Sequence, residues 1–154
     1  MDIEEQYDKI YRYCYFKMYD DQIAQDITQE TFLRFCKQGL NLGSDKELPY
    51  LYTIAKNLCI DHFRKRTVES LEEITEEVID DPTEDLISNL TLRMTISKLP
   101  EDEQELIFLR YVNEVSITTI CKITGLSRFA VYRKLSKSLK WLKEELLKEG
   151  FSNG

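Results

Sequence analysis

Between Ser116 and Leu139 the chain reads S-I-T-T-I-C-K-I-T-G-L-S-R-F-A-V-Y-R-K-L-S-K-S-L, and this stretch leaves few folds open. Ile117, Ile120 and Ile123 give a short helix one apolar face, with Ser116 placed to cap its start. Gly125 falls where the chain must turn sharply, a place that favours positive φ and therefore glycine. Leu126 plugs the corner and Ser127 is the natural N-cap of a second helix. Along that helix Val131, Leu135, Leu139, Leu142 and Leu146 recur at steps of four, four, three and four, the spacing of one buried stripe. Arg128, Phe129, Tyr132, Arg133, Ser136, Lys137 and Lys140 lie on the opposite face. The pattern is a helix-turn-helix. A cationic, hydrogen-bonding face on the first turns of its second helix is what reading a DNA major groove requires. An ordinary αα-corner with a solvated basic face carries the same pattern.

The rest of the chain is built for helices. Five Gly and three Pro in 154 residues, amid many Leu, Ile, Glu and Lys, predict an all-α protein of two small helical domains. No apolar run approaches the length of a membrane span, and the acidic start at Asp2, Glu4 and Glu5 is not a signal peptide, so a cytoplasmic protein is expected. Cys14, Cys36, Cys59 and Cys121 lie far apart within apolar helical patterns and read as small buried thiols. The single His62 cannot build a metal centre, and no metal or other cofactor is expected.

A net charge of −7 argues against nucleic acid only as a whole-chain figure. Residues 1–36 carry net −4 and residues 37–66 net +3; residues 67–105 carry net −11 and residues 106–148 net +6. Phosphates respond to the field within a Debye length, roughly 8 Å at physiological salt, and not to the total. The blocks point to two separate DNA-facing surfaces joined by a solvated connector. Residues 1–66 form the first domain, the acidic run from 67 to 85 with Asp80-Asp81-Pro82 is the linker, and 86–154 the second domain.

In the first domain Ile3, Tyr7, Ile10, Tyr11, Cys14 and Met18 share a helical face and read as core. Asp20-Asp21 open a second helix, on which Asp26, Glu30 and Arg34 share one edge with Gln29. Spacing alone favours a solubilising ion-pair ladder over a docking edge. Residues 38–46 read as a loop, and Pro49 suits the first turn of the third helix. That helix buries Leu51, Ile54, Ala55, Leu58 and His62, and ends in Arg64-Lys65-Arg66. The three cations complement the helix dipole; with Tyr50, Tyr52, Lys56 and Asn57 they equally suit a single strand, aromatics stacking on bases and cations tracking phosphate. In the second domain Leu86, Leu90 and Met94 begin a helix, Pro100 starts another, and Leu106, Ile107, Leu109, Tyr111 and Val112 supply core. Residues 150–154 read as a frayed tail.

Laid out in order, D-I-T-Q-E-T-F-L-R-F at 26–35, Y-L-Y-T-I-A-K-N-L-C-I-D-H-F-R-K-R at 50–66, and L-P-E-D-E-Q-E-L-I-F-L-R-Y-V before the helix-turn-helix resemble a bacterial RNA polymerase sigma factor of the extracytoplasmic-function type. The resemblance covers nearly the whole chain. It implies that Asp26, Gln29, Glu30 and Arg34 grip the clamp helices of the largest subunit of core RNA polymerase. It further implies that Tyr50, Lys56, Asn57, Asp61, Arg64, Lys65 and Arg66 open the −10 region of promoter DNA and hold its unpaired strand. Ser127, Arg128, Phe129, Tyr132, Arg133, Ser136 and Lys137 become readers of the −35 element. Cys121, Thr124, Tyr50 and the bulky R-F-A-V-Y opening of the last helix depart from the family's usual residues, which bears on promoter choice and not on fold. The resemblance also admits an anti-sigma partner. No catalytic constellation is present and monomer is the expectation, the chemistry belonging to the polymerase. A stand-alone helix-turn-helix regulator and a sigma-like decoy that binds polymerase without opening DNA remain the competing readings.

Overall fold

The computed structural model describes residues 3–38, 44–69 and 91–148. Three helices form the first module: α1 (Ile3–Met18), α2 (Asp21–Lys37) and α3 (Ser44–Glu69). The second holds a short helix α4 (91–96), α5 (Glu101–Ile107) continued by a π-helical turn (Phe108–Val112), α6 (Ile117–Thr124) and α7 (Arg128–Lys148). Among the described residues there is no strand, and no helix is long and apolar enough to cross a membrane.

The first module is a three-helix bundle closed on Ile10, Cys14, Met18, Ala24, Ile27, Leu48, Leu51, Ala55 and Cys59. Asp20 caps α2 by accepting from Ile23 N–H at 3.0 Å. Thr28 and Thr31 are wholly buried on α2, which is tolerable because each hydroxyl donates to the carbonyl four residues back, at 2.7 Å. The second module packs Leu99, Leu106, Leu109, Val115, Ile117, Ile120, Val131, Leu135 and Leu142 around the helix-turn-helix. Its hinges are as the sequence requires. Ser116 accepts from Thr119 N–H at 3.2 Å, Ser127 accepts from Ala130 N–H at 3.1 Å, and Gly125 closes α6 at φ 78°.

Several expectations are corrected. The third helix begins at Ser44, so Pro49 sits inside it and the loop expected to reach residue 46 is shorter. Burial of Leu48 at 3% exposure anchors the added turn, an instance of packing overriding proline's preference for a helix start. Tyr111 and Val112, expected as core, are half exposed, because the π-helical turn inserts an extra residue per turn and rotates them outward. Ile3, Met94 and Leu139 also lie exposed, at the rims of their stripes, and His62 is only half-buried. Cys14 and Cys59 are buried thiols as expected, whereas Cys36 is exposed. The third helix runs on to Glu69, past the end expected at Arg66 and into the segment 67–85 expected as linker; the rest of that linker, the helical start placed at Leu86 and Leu90, and the tail lie outside the described residues.

The two small helical domains expected from the sequence are both present, and they pack directly against one another. Phe108 stacks on Phe16 of α1 with centroids 4.5 Å apart, and Tyr13 packs on both Phe108 and Tyr52. Arg93 of α4 lies over the Tyr19 ring at 3.6 Å, against the residue that ends α1 with φ 57°. Glu105 of α5 is buried against the first module, 2.8 Å from Lys17 Nζ and 3.3 Å from Lys56 Nζ, and accepts from Tyr13 Oη at 3.1 Å. Asn113, 1% exposed, donates to Lys9 O at 2.8 Å and to Tyr52 Oη at 2.7 Å, and accepts from Arg12 Nε at 2.9 Å. The buried polar atoms of this seam thus have partners, as burial demands.

Two outcomes follow from this packing. A Cβ on Gly125 would meet nothing within 4 Å, so Gly125→Ala carries only the left-handed backbone penalty, about 1 kcal/mol by urea denaturation; a loss several times larger would mean a steric role. Burial pushes the Glu105 carboxyl upward, but Lys17, then Lys56 and the Tyr13 hydroxyl, hold it below its ordinary value of 4.5. A carboxyl with a lowered folded-state pKa stabilises fully above its unfolded value and loses that contribution as pH falls through the folded value. The stability advantage of wild type over Glu105→Gln should therefore be full near neutral pH and fade below pH 4.5. An advantage independent of pH would contradict the ion-pair assignment.

Candidate functional site

Three surfaces carry the residues singled out in the sequence. The first is the outer edge of α2. Asp26 accepts from Gln22 Nε2 at 3.0 Å, and Arg34 Nε lies 3.0 Å from Glu30 Oε1. Both rungs are i,i+4 pairs of the kind worth only tenths of a kcal/mol on an exposed helix. Gln29, Arg34 and the neighbouring Leu33, the last 55% exposed, extend the edge into an amphipathic strip. Leu33 was not among the sequence candidates; an apolar residue breaking the polar edge at 33 was the available signal.

The second surface is the outer face of α3. Lys56, Asn57, Asp61, Arg64, Lys65 and Arg66 are all exposed, and Ile60 and Phe63 stand beside them at 39% and 44% exposure. The helix thus presents cations with an apolar and an aromatic side chain interleaved. That combination binds a single strand by tracking phosphate and stacking bases. The two tyrosines divide. Tyr50 is half-buried, packed on Phe35 and hydrogen-bonded to Gln38. Tyr52, grouped with it by sequence as a stacking aromatic, is 1% exposed and holds Asn113, so it is a core residue. Phe63 is an exposed aromatic that the sequence pattern did not single out. Its place one residue before Arg64 was the signal.

The third surface is the first turns of α7. Ser127 is consumed by capping, while Arg128, Phe129, Tyr132, Arg133, Ser136 and Lys137 all face solvent. Phe129 is 73% exposed and Tyr132 53%, far more than large aromatics usually show. The Arg133 guanidinium lies 5.6 Å from the Phe129 ring centroid, and Arg128 donates to the Thr118 hydroxyl across the turn. The pair of contacts pre-positions two cations at the helix start, where base edges are met in a major groove. Lys134 is engaged elsewhere, 2.6 Å from Asp102, and ties α7 to α5. Because Phe129 and Tyr132 pack on so little, Phe129→Ala and Tyr132→Ala should leave thermal stability within about 0.5 kcal/mol of wild type. A loss beyond about 1.5 kcal/mol in either would mean that the face is buried in solution.

Between the second surface and the helix-turn-helix module lies an open cleft of about 1120 Å³. Lys56, Ile60 and Arg64 form one wall, and Glu101, Asp102 and Glu105 stand on the other.

Comparison with known proteins gives this geometry a context. Residues 3–68 match the family described as Sigma-70 region 2, and residues 89–142 match Sigma-70, region 4. The chain is 31% identical over 140 residues to the ECF RNA polymerase sigma factor BldN of Streptomyces coelicolor, a match covering 80% of this chain and 51% of that protein. It thus spans about half the length of that relative. It is 31% identical over 159 residues to the ECF RNA polymerase sigma factor SigW of Bacillus subtilis, covering 90% of this chain and 83% of that one. In fold it is similar to the Bartonella quintana sigma factor RpoE, co-crystallised with the anti-sigma factor NepR, with TM-score 0.69 and 23% identity over 95% of this chain and 94% of that chain.

Proposed function

The chain belongs to the extracytoplasmic-function group of the sigma-70 family of RNA polymerase sigma factors, and on that premise we propose that it is a promoter-specificity subunit working only with core polymerase. The α2 edge of Asp26, Gln29, Glu30 and Arg34 docks on the clamp helices of the largest subunit. The α3 face, through Lys56, Asn57, Asp61, Arg64, Lys65 and Arg66, holds the unpaired strand of the −10 region. Arg128, Phe129, Tyr132, Arg133, Ser136 and Lys137 read the −35 element. Phosphodiester chemistry stays in the polymerase. An anti-sigma factor is a further partner in this reading.

The observation that carries the proposal is the placement of exposed cations and aromatics on two faces, one in each family-matched module, where the whole chain is acidic. Each face answers a different form of DNA. The α3 face offers Phe63 for stacking among cations, which suits an extruded base whose unstacking costs a few kcal/mol. The α7 face offers hydrogen-bonding side chains on a protruding helix start, which suits a duplex.

Separable roles make the proposal testable. Arg34→Ala should weaken competition for core polymerase several-fold while leaving DNA contacts intact. Asn57→Ala should reduce permanganate reactivity of promoter thymines more than it reduces complex formation. Arg133→Ala should lower transcription from one promoter class at unchanged core affinity. Equal loss of all three activities in each variant would contradict it.

A further inference from the structure

The opening of α7 breaks two local rules, and neither breach stabilises the fold. Arg128 is the first residue of the helix, at the positive end of its dipole, where a cation is disfavoured. Among the described residues no carboxylate pairs with it or with Arg133. Phe129 leaves 73% of its surface in water, with only the Arg133 guanidinium, one turn on, set over its ring. Rules broken without a structural gain mark a surface shaped for something outside the molecule.

Arg128 is nevertheless held in place. Its Nη2 donates to the hydroxyl of Thr118 on α6, across the turn closed by Gly125. The neighbouring hydroxyls at the start of α6 are engaged with one another, since Ser116 accepts from Thr119 N–H and donates to the Thr119 hydroxyl at 3.0 Å. Thr118, which the sequence pattern did not single out, is the one that reaches over to α7. Nη2 carries two protons and Thr118 takes one, so Nη1 and Nη2 still present a parallel pair of donors. Such a pair matches the O6 and N7 acceptors of a guanine in the major groove. A tethered arginine also has less rotamer freedom left to lose when it binds.

Phe129 has no donor or acceptor to offer a base edge. The apolar group that a major groove presents is the C5 methyl of thymine. The guanidinium of Arg133, 5.6 Å from the ring centroid, steadies the ring while leaving it exposed.

Given the assignment of the α7 face to the −35 element, we propose that Thr118 is a positioning residue that aims Arg128 at a guanine, and that Phe129 beside it reads a thymine methyl. The duplex element selected by this chain then holds both a G·C pair and an A·T pair under the first turn of α7.

The test uses the full chain with core RNA polymerase. Transcription from a promoter library randomised at −35 identifies the preferred element. Holoenzyme affinity is then measured on duplexes in which uracil replaces thymine, removing the methyl, or 7-deazaguanine replaces guanine, removing N7. Wild type should lose about fourfold in affinity when one particular thymine becomes uracil, the effect of burying one methyl group. Phe129→Ala should be indifferent to that change. At one position wild type should prefer guanine by at least about fivefold, and 7-deazaguanine should erase most of the preference. Thr118→Val, which keeps the side-chain shape and removes the hydroxyl, should cut the preference roughly threefold, the effect of freeing one long side chain. Thr118→Ser should restore it, and Thr118→Val should have no further effect once Arg128→Ala is present. A Thr118 that served only the fold would weaken binding to every duplex alike, whatever its guanines carry, and that result would overturn the positioning role. Indifference of wild type to uracil at every thymine would overturn the methyl contact. Selection of an upstream element that none of these variants alters would contradict the base assignment alone, whereas a wild-type holoenzyme that selects no element would overturn the sigma reading together with it.

Discussion

A carboxylate taken out of water needs several donors at once, and Glu105 has them only because two modules distant in sequence meet around it. Lys17 comes from the end of α1, Lys56 from the middle of α3 and Tyr13 from the aromatic side of α1. Asn113 repeats the arrangement a short distance along, with a neutral side chain in place of a charge. Much else in the molecule is arranged around this seam. The π-helical turn places Asn113, Phe16 of α1 receives Phe108, and the cleft opens beside Glu105.

The local rules of the chain are legible in its amino-acid order. Gly125 with its positive φ, the serine caps on α6 and α7, and the apolar steps from Val131 to Leu142 follow from neighbours a few positions away. The seam is different in kind. Tyr13 and Glu105 are separated by 92 positions, and Arg12 and Asn113 by 101, so no periodicity records their meeting. For the same reason Tyr52 reads as an exposed stacking residue when it is a buried partner of Asn113. The extra turn before Pro49 and the π-helical turn are hidden by a second cause, since each breaks a local preference that burial of Leu48 and Phe108 outweighs. Of the candidate surfaces, the α2 edge and the α7 face are where their spacing put them, while the α3 face gains Phe63 and loses Tyr52.

The three surfaces lie differently with respect to this seam. The α2 edge and the start of α7 stand clear of the seam and face solvent. The α3 face is the one confronted by carboxylates.

The most direct measurement of promoter-specificity function is run-off transcription from a genomic DNA library with core polymerase, with and without this protein. New start sites should appear that share two spaced upstream motifs, one for each DNA-facing module. Binding to core without new transcripts would reduce the chain to a decoy, and failure to bind core would contradict the assigned function outright.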